Sequence, residues 1–221
     1  MTDGALLERM ISYASVSPKD IVLEVGAGLG FLTQLLAERC RRVIAVEIDG
    51  KLMGILRDEL REMRNVELVH GDVLNTPLPR FNKVVSTPPY SISSPLLFWL
   101  LDHVFDCAVL TFQEEFARRL SAQVGSKDYS RLTVATYYRA DAELLDFVSK
   151  SAFYPPPDVD SVVVRLKPRE PPFKVKDEKT FFELVRVMFT QRNKKVRNAV
   201  LPFLLKHRIA KERAMKLADT L

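Results

Sequence analysis

Three groups of residues able to do chemistry lie in order along the first half of the chain. Gly26, Gly28 and Gly30 alternate behind an apolar run, in Glu24-Val25-Gly26-Ala27-Gly28-Leu29-Gly30. Alternating glycines let a backbone turn sharply and approach a ligand, and a helix that follows offers free N–H groups at its start. The next apolar run ends in Val46-Glu47-Ile48-Asp49, where a carboxylate can take both hydroxyls of a ribose. Gly71-Asp72-Val73 closes the third run, where an acid can receive the exocyclic amine of an adenine. Each feature alone also suits a tight turn or a cap. A nicotinamide dinucleotide would use the first two, but its fingerprint needs a third small residue where Phe31 stands. The spacing with Asp72 fits S-adenosylmethionine better, a nucleoside with an amino-acid arm and no pyrophosphate.

These residues need strand ends to hold them. Short apolar runs at Ile21–Val25, Val43–Val46, Val66–Val69, Lys83–Val85 and Ala108–Phe112 read as buried strands. Between them, Leu6–Ala14, Phe31–Arg39, Lys51–Met63, Pro95–Leu101 and Gln113–Gln123 read as helices. The alternation predicts a mostly parallel sheet covered on both faces, with the acids and glycines at carboxyl ends of successive strands. A segment at Leu144–Val148, a proline-rich turn Tyr154-Pro155-Pro156-Pro157 and a strand at Ser161–Leu166 would finish the sheet by antiparallel pairing. The charged, proline-rich Lys167–Pro172 reads as a linker. Glu178–Phe189, Lys194–Lys206 and Ala210–Thr220 follow as three helices. The expectation is an α/β domain over residues 1–170 and a small all-helical domain over 171–221.

Charge is divided along the same line. Residues 1–100 carry 11 basic and 12 acidic side chains, net −1, and residues 101–221 carry 22 and 16, net +6. Val185–Lys216 alone holds ten Lys/Arg against Glu212. Such clustering suits a polyanion partner, though a solvated helix face has the same composition. Arg192, Lys194, Lys195 and Arg197 in this stretch, with Arg118, Arg119, Lys127 and Arg131 earlier, are the candidate phosphate contacts. The longest uncharged run, Val84–Leu101, contains Pro88, Pro89 and Pro95 and is no membrane span. The start, MTDGALLER, lacks the apolar stretch of a signal peptide. Cys40 and Cys107 form no disulfide framework and suit a reducing cytoplasm. His70, His103 and His207 are scattered without ligand spacing, so no metal is expected.

After the fourth strand comes Ser86-Thr87-Pro88-Pro89-Tyr90, and from here the chain resembles the rRNA adenine N6,N6-dimethyltransferases, in an archaeal-like form. The resemblance continues through Ser91–Pro95, Phe112-Gln113-Glu114-Glu115, Gly125–Leu132, Phe153–Ser161 and Met188–Asn198, in family order over nearly the whole chain. It implies a Rossmann-like methyltransferase that uses S-adenosylmethionine and releases S-adenosylhomocysteine. The implied substrate is two adjacent adenosines in a hairpin loop near the 3′ end of small-subunit rRNA, met on the pre-small ribosomal subunit during ribosome biogenesis. A cytoplasmic monomer is expected.

The resemblance also assigns roles. The lone pair of adenine N6 is delocalised into the ring, so acceptors for its N–H bonds must hold the nitrogen toward the methyl group. Thr87 and the Pro88 carbonyl take those positions, and Tyr90 and Phe153 stack on a base drawn out of its helix or loop. Met1, Glu24, Ile48, Val73 and Thr87 join Gly26, Gly28, Gly30, Glu47 and Asp72 in the implied cofactor set. Two departures stand out. Thr87 replaces the family's usual Asn. Met1-Thr2-Asp3 matches only the end of the family's Gln-x-Phe-Leu stretch, and the chain is expected to be truncated at both ends. Two rivals stay open. A non-catalytic rRNA-binding assembly factor would keep the fold and lose transfer through Thr87. A protein-glutamine methyltransferase also uses a Pro-Pro-Tyr loop.

Overall fold

The computed structural model describes residues 3–153, 156–207 and 209–220. Five parallel strands form one side of a seven-stranded sheet: β1 (Ile21–Val25), β2 (Arg42–Glu47), β3 (Val66–His70), β4 (Lys83–Ser86) and β5 (Cys107–Gln113). Two further strands, β6 (Ala140–Val148) and β7 (Ser161–Pro168), complete the order β3-β2-β1-β4-β5-β7-β6. β7 runs antiparallel to both β5 and β6. The strand order reverses between β1 and β4, so a crevice opens beyond their carboxyl ends.

Alternate side chains of each strand feed two cores. Leu23, Ile44, Val84, Leu110 and Val164 pack on one face with α4 (Ser93–Leu101), α5 (Glu114–Leu120) and α6 (Arg131–Arg139). Val22, Val43, Val85, Val109 and Val163 pack on the other with α1 (Gly4–Tyr13), α2 (Phe31–Ala37) and α3 (Gly50–Glu59). Burial on both faces explains why these strands read as unbroken apolar runs rather than alternating ones.

Two elements depart from the sequence reading. α6 was not foreseen: Arg131-Leu-Thr-Val-Ala-Thr-Tyr-Tyr-Arg139 is rich in β-branched and aromatic residues, poor helix formers in isolation. Packing overrides propensity here. Leu132 and Ala135 enter the core, and the Thr133 hydroxyl, accepting from Ser130 N–H at 3.0 Å, donates to the Arg119 carbonyl at 2.6 Å. β6 starts at Ala140, four residues before the expected segment, because it is an edge strand paired only with β7 and carries Asp141 and Glu143 toward water. Several helices end a turn short of expectation, α3 at Glu59 and α5 at Leu120 among them.

Beyond β7 come α7 (Glu178–Thr190), α8 (Val196–Lys206) and α9 (Lys211–Asp219). Val185, Val200, Phe203 and Ala214 are among their buried residues. Tyr138 of α6 meets Phe173, Phe181 and Phe182 at ring distances of 5.2, 5.4 and 5.5 Å, and Arg139 pairs with Glu178 at 2.7 Å, so α7 lies against α6.

Candidate active site

The glycine loop is shaped by its own chain. Gly26 and Ala27 N–H donate to the Val46 carbonyl at 2.8 and 3.2 Å, and Gly26, Gly28 and Gly30 sit at φ +75°, +60° and +85°. Side chains rarely adopt that left-handed region, which explains the glycines. A Cβ on Gly28 would find only the Gly26 carbonyl, at 4.0 Å, so the loop faces open space there. Glu47, 6% exposed, fixes the loop from the next strand end. One carboxylate oxygen accepts from Gly28 N–H at 2.9 Å, the other from Ile48 and Asp49 N–H at 2.9 Å. Ile48 beside it is 65% exposed. Open glycine backbone, an oriented carboxylate and an exposed apolar side chain at adjacent strand ends fit a nucleoside with an amino-acid arm.

Three members of the expected cofactor set are committed within the chain in this structure. Glu24 lies beneath the loop, fully buried, and accepts from the Thr33 hydroxyl of α2 at 2.6 Å. Burial pushes its carboxyl up to about 8, with the nearby Glu47 charge adding to the rise. It is a neutral support of the loop at pH 7 rather than a charged ligand-facing group. Val73 is buried in the core, so only its backbone can face the crevice. Asp72 spends both carboxylate oxygens on its own turn, one on Leu74 N–H at 3.0 Å and one on the Asn75 amide at 2.6 Å. Met1 lies outside the described residues.

The loop after β4 stands directly against the glycine loop. A Cβ on Gly26 would come within 3.0 Å of Pro89 Cδ, so the two loops touch and only glycine leaves room. Ser86, fully buried, closes the end of β4 onto β1: its hydroxyl donates to the Val25 carbonyl at 2.6 Å and accepts from Val25 N–H at 3.1 Å. Thr87 is half-buried, and among the described residues its hydroxyl and the Pro88 carbonyl bond to nothing. Both are acceptors at the crevice mouth. Tyr90 and Phe153 are both half-buried, with ring centroids 6.3 Å apart and planes at 68°. The Tyr90 hydroxyl bonds to that of Ser161, the first residue of β7. Phe153, distant in sequence, is therefore brought to the Thr87–Tyr90 loop.

The eight basic candidates divide differently from the two groups expected. Arg119, Lys127, Arg131 and Arg192 converge on one cavity of about 510 Å³ between the start of α6 and α7. Arg186, hidden within the basic stretch and not singled out by sequence, lines it too. Arg192 is also committed to the Lys127 and Ser126 carbonyls at 3.2 Å, and Arg131 lies over the Phe98 ring at 4.9 Å. Arg118 is held by Glu114 one turn earlier, and Arg197 by Asp219 at 2.7 Å. Lys194 and Lys195 are exposed and do not line that cavity.

The model of the family described as ribosomal RNA adenine dimethylase matches residues 1–219. The chain is 47% identical to a ribosomal RNA small subunit methyltransferase A of Methanosarcina barkeri, over 99% of this chain and 77% of that protein. It is 50% identical to the same-named protein of Methanosarcina acetivorans, over 91% of this chain and 75% of that one. Among solved structures, a dimethyladenosine transferase from Plasmodium falciparum superposes with TM-score 0.83 at 36% identity, covering 91% of this chain and 74% of that one. The 23S rRNA methyltransferase ErmE superposes with TM-score 0.75 at 32% identity, covering 96% and 85%.

Proposed function

Because the chain belongs to the ribosomal RNA adenine dimethylase family, it is an S-adenosylmethionine-dependent rRNA (adenine-N6,N6)-dimethyltransferase, and we propose that it acts on two adjacent adenosines in a hairpin loop near the 3′ end of small-subunit rRNA. The observation that carries the site assignment is the meeting, beside Gly26, of two free acceptors with two half-buried aromatic rings.

Gly26, Gly28, Gly30, Glu47 and Ile48 would hold the cofactor, with Asp72 and the Val73 backbone at the third strand end. Bound S-adenosylmethionine supplies a methyl already activated on a sulfonium, so the chain needs no nucleophile of its own. Tyr90 and Phe153 stack on the extruded adenine, which excludes water from its faces and fixes its plane. The Thr87 hydroxyl and the Pro88 carbonyl accept the two N6–H bonds and turn the nitrogen lone pair toward the glycine loop. No general base is required, because the proton can leave to water after transfer. Catalysis is mainly positioning.

In this reading residues 1–170 perform the transfer and the basic helices of 171–221 help hold RNA backbone. The protein works as a cytoplasmic monomer on the pre-small ribosomal subunit. Among the described residues no helix is long and apolar enough to cross a membrane. The test is incubation with labelled S-adenosylmethionine and unmethylated small subunits, followed by mapping. Label on two neighbouring adenosines, as dimethyladenosine, is expected. Binding without incorporation would favour a non-catalytic assembly factor, and label on a protein glutamine would overturn the substrate class.

A further inference from the structure

We propose that Ser86 and Ser161 are positioning residues that pin the two ends of the Thr87–Tyr90 loop, Ser86 against the cofactor strand and Ser161 against the strand behind the target base. The inference rests on the roles given above to Tyr90 and Phe153.

Between β1 and β4 the paired register covers only Val22 with Lys83 and Leu23 with Val84. On its other side β1 stays paired to its last residue, Val25 with Val46. β4 likewise stays paired with β5 as far as Ser86 with Leu110. The strands therefore part at the point where the crevice begins. There the Ser86 hydroxyl takes over the work of the ladder, satisfying both the N–H and the carbonyl of Val25. An alanine would leave those two backbone groups without that partner and release the spacing between Gly26 and the Pro88-Pro89 pair.

At the other end, Ser161 is fully buried and locked by pairing with Gln113 on one side and Val148 on the other. Its hydroxyl holds the only polar atom of the Tyr90 side chain. That bond stops the ring from swinging on its χ angles and keeps it edge-on to Phe153. A ring fixed before the base arrives loses less entropy on stacking. Neither serine touches the reacting atoms.

The test uses the whole protein with an RNA hairpin carrying 2-aminopurine at the target position, whose fluorescence reports unstacking and re-stacking without cofactor. S-adenosylhomocysteine affinity is measured separately by calorimetry. Ser161→Ala and Tyr90→Phe, which delete the same bond from opposite sides, should each weaken the 2-aminopurine response and raise KM for RNA by about 5- to 10-fold. Each should leave cofactor-product affinity within about twofold, and the double variant should be no worse than either single one. Ser86→Ala should do the reverse, weakening S-adenosylhomocysteine by about 5- to 10-fold while keeping the 2-aminopurine response. If Ser86→Ala does not fold, Ser86→Cys keeps the volume with a much weaker bond. If Ser161→Ala does not fold, Tyr90→Phe carries that arm alone. Equal losses in both readouts, or none, would overturn the pins as positioning devices. A wild-type protein that binds the hairpin with no 2-aminopurine response would instead overturn the stacking roles of Tyr90 and Phe153, and the Ser161 pin with them.

Discussion

The cofactor side and the RNA side of the crevice are built on opposite plans. On the cofactor side nearly every polar group is already satisfied within the chain: both oxygens of Glu47, both of Asp72, and the carboxyl of Glu24 through Thr33. On the RNA side the Thr87 hydroxyl, the Pro88 carbonyl and the Arg186 and Lys127 side chains have no partners among the described residues. A small ligand of fixed shape rewards a loop that is ordered beforehand, because little entropy remains to be lost. A polyanion brings its own charges, so the surface that meets it is best left with cations unpaired.

The largest expected effect tests whether the cofactor side is a rigid support. Glu24 is buried and neutral at pH 7, with its carboxyl raised from the ordinary 4.5 to about 8, first by burial and then by the Glu47 charge. A raised folded-state value means the folded protein holds the proton more tightly than the unfolded chain. The stability so gained is fully present below about pH 4.5 and is lost as pH rises through about 8. Over that window wild type should lose on the order of 3–5 kcal/mol that Glu24→Gln does not lose. Urea melts at pH 5 and pH 8.5 measure it. Parallel pH profiles for the two proteins would mean Glu24 is ionised or solvated in the folded state.

Next comes Glu47, the carboxylate proposed above to hold the cofactor. Glu47→Ala removes three amide partners from the loop and the acceptor for the ribose. It should cost about 1.5–3 kcal/mol of affinity, roughly 10- to 150-fold. Calorimetry with S-adenosylhomocysteine reads this directly. A loss under twofold would move the ribose elsewhere and erase the distinction between Glu47 and the buried Glu24.

The third change acts at the boundary between the two sides. Unmodified adenine offers two N6–H donors and the monomethyl intermediate offers one, so a two-acceptor clamp matters most in the first transfer. The Thr87 hydroxyl has no partner among the described residues, but it is shorter than the Asn side chain that the family resemblance implies at this position. Thr87→Asn should therefore speed the first methylation by about 5- to 150-fold, the equivalent of about 1–3 kcal/mol, and the second by less. Monomethyl product should then accumulate early in single-turnover time courses. Equal acceleration of both steps, or a slower first step, would show that Thr87 is an adequate acceptor as it stands.

How much of this could be read from sequence follows the same divide. The glycines, Glu47 and the parallel strands were legible because strand-end chemistry and unbroken apolar runs leave local signals. α6 was not, since Thr133, Val134, Thr136 and the tyrosines speak for a strand until Leu132 and Ala135 find a core to enter. Glu24 and Val73 share motifs with ligand-facing neighbours, and alternation along a backbone sends one side chain inward for each one sent outward. Ser86 and Ser161 fall inside motif blocks, but nothing in the sequence marked their roles: a serine's partner is set by which strands lie beside it. The basic residues were legible as a population, but ion pairs decide which of them are free.

The smallest expected effects concern those residues, and they separate cations that merely lie on the RNA side from those left open to RNA. Lys127 and Arg186 line the cavity without an acidic partner among the described residues, whereas Glu114 holds Arg118, Glu115 holds Arg119 and Asp219 holds Arg197. A cation that neutralises a phosphate releases counterions, and its removal should flatten the log–log dependence of RNA affinity on salt by roughly 0.7–0.9. Arg186→Ala is the cleanest case, because its guanidinium is exposed and has no partner among the described residues. Lys127→Ala should behave alike. Arg118→Ala and Arg197→Ala should leave the slope nearly unchanged, because each cation is already committed to an acid of the chain rather than left open to a phosphate. Filter binding of the hairpin between 50 and 300 mM salt is sensitive enough, provided that all four variants melt alike. Flattening by Arg118→Ala or Arg197→Ala equal to that of Arg186→Ala would mean RNA displaces the intramolecular acids. Net charge on this face, and not the open cavity, would then govern binding.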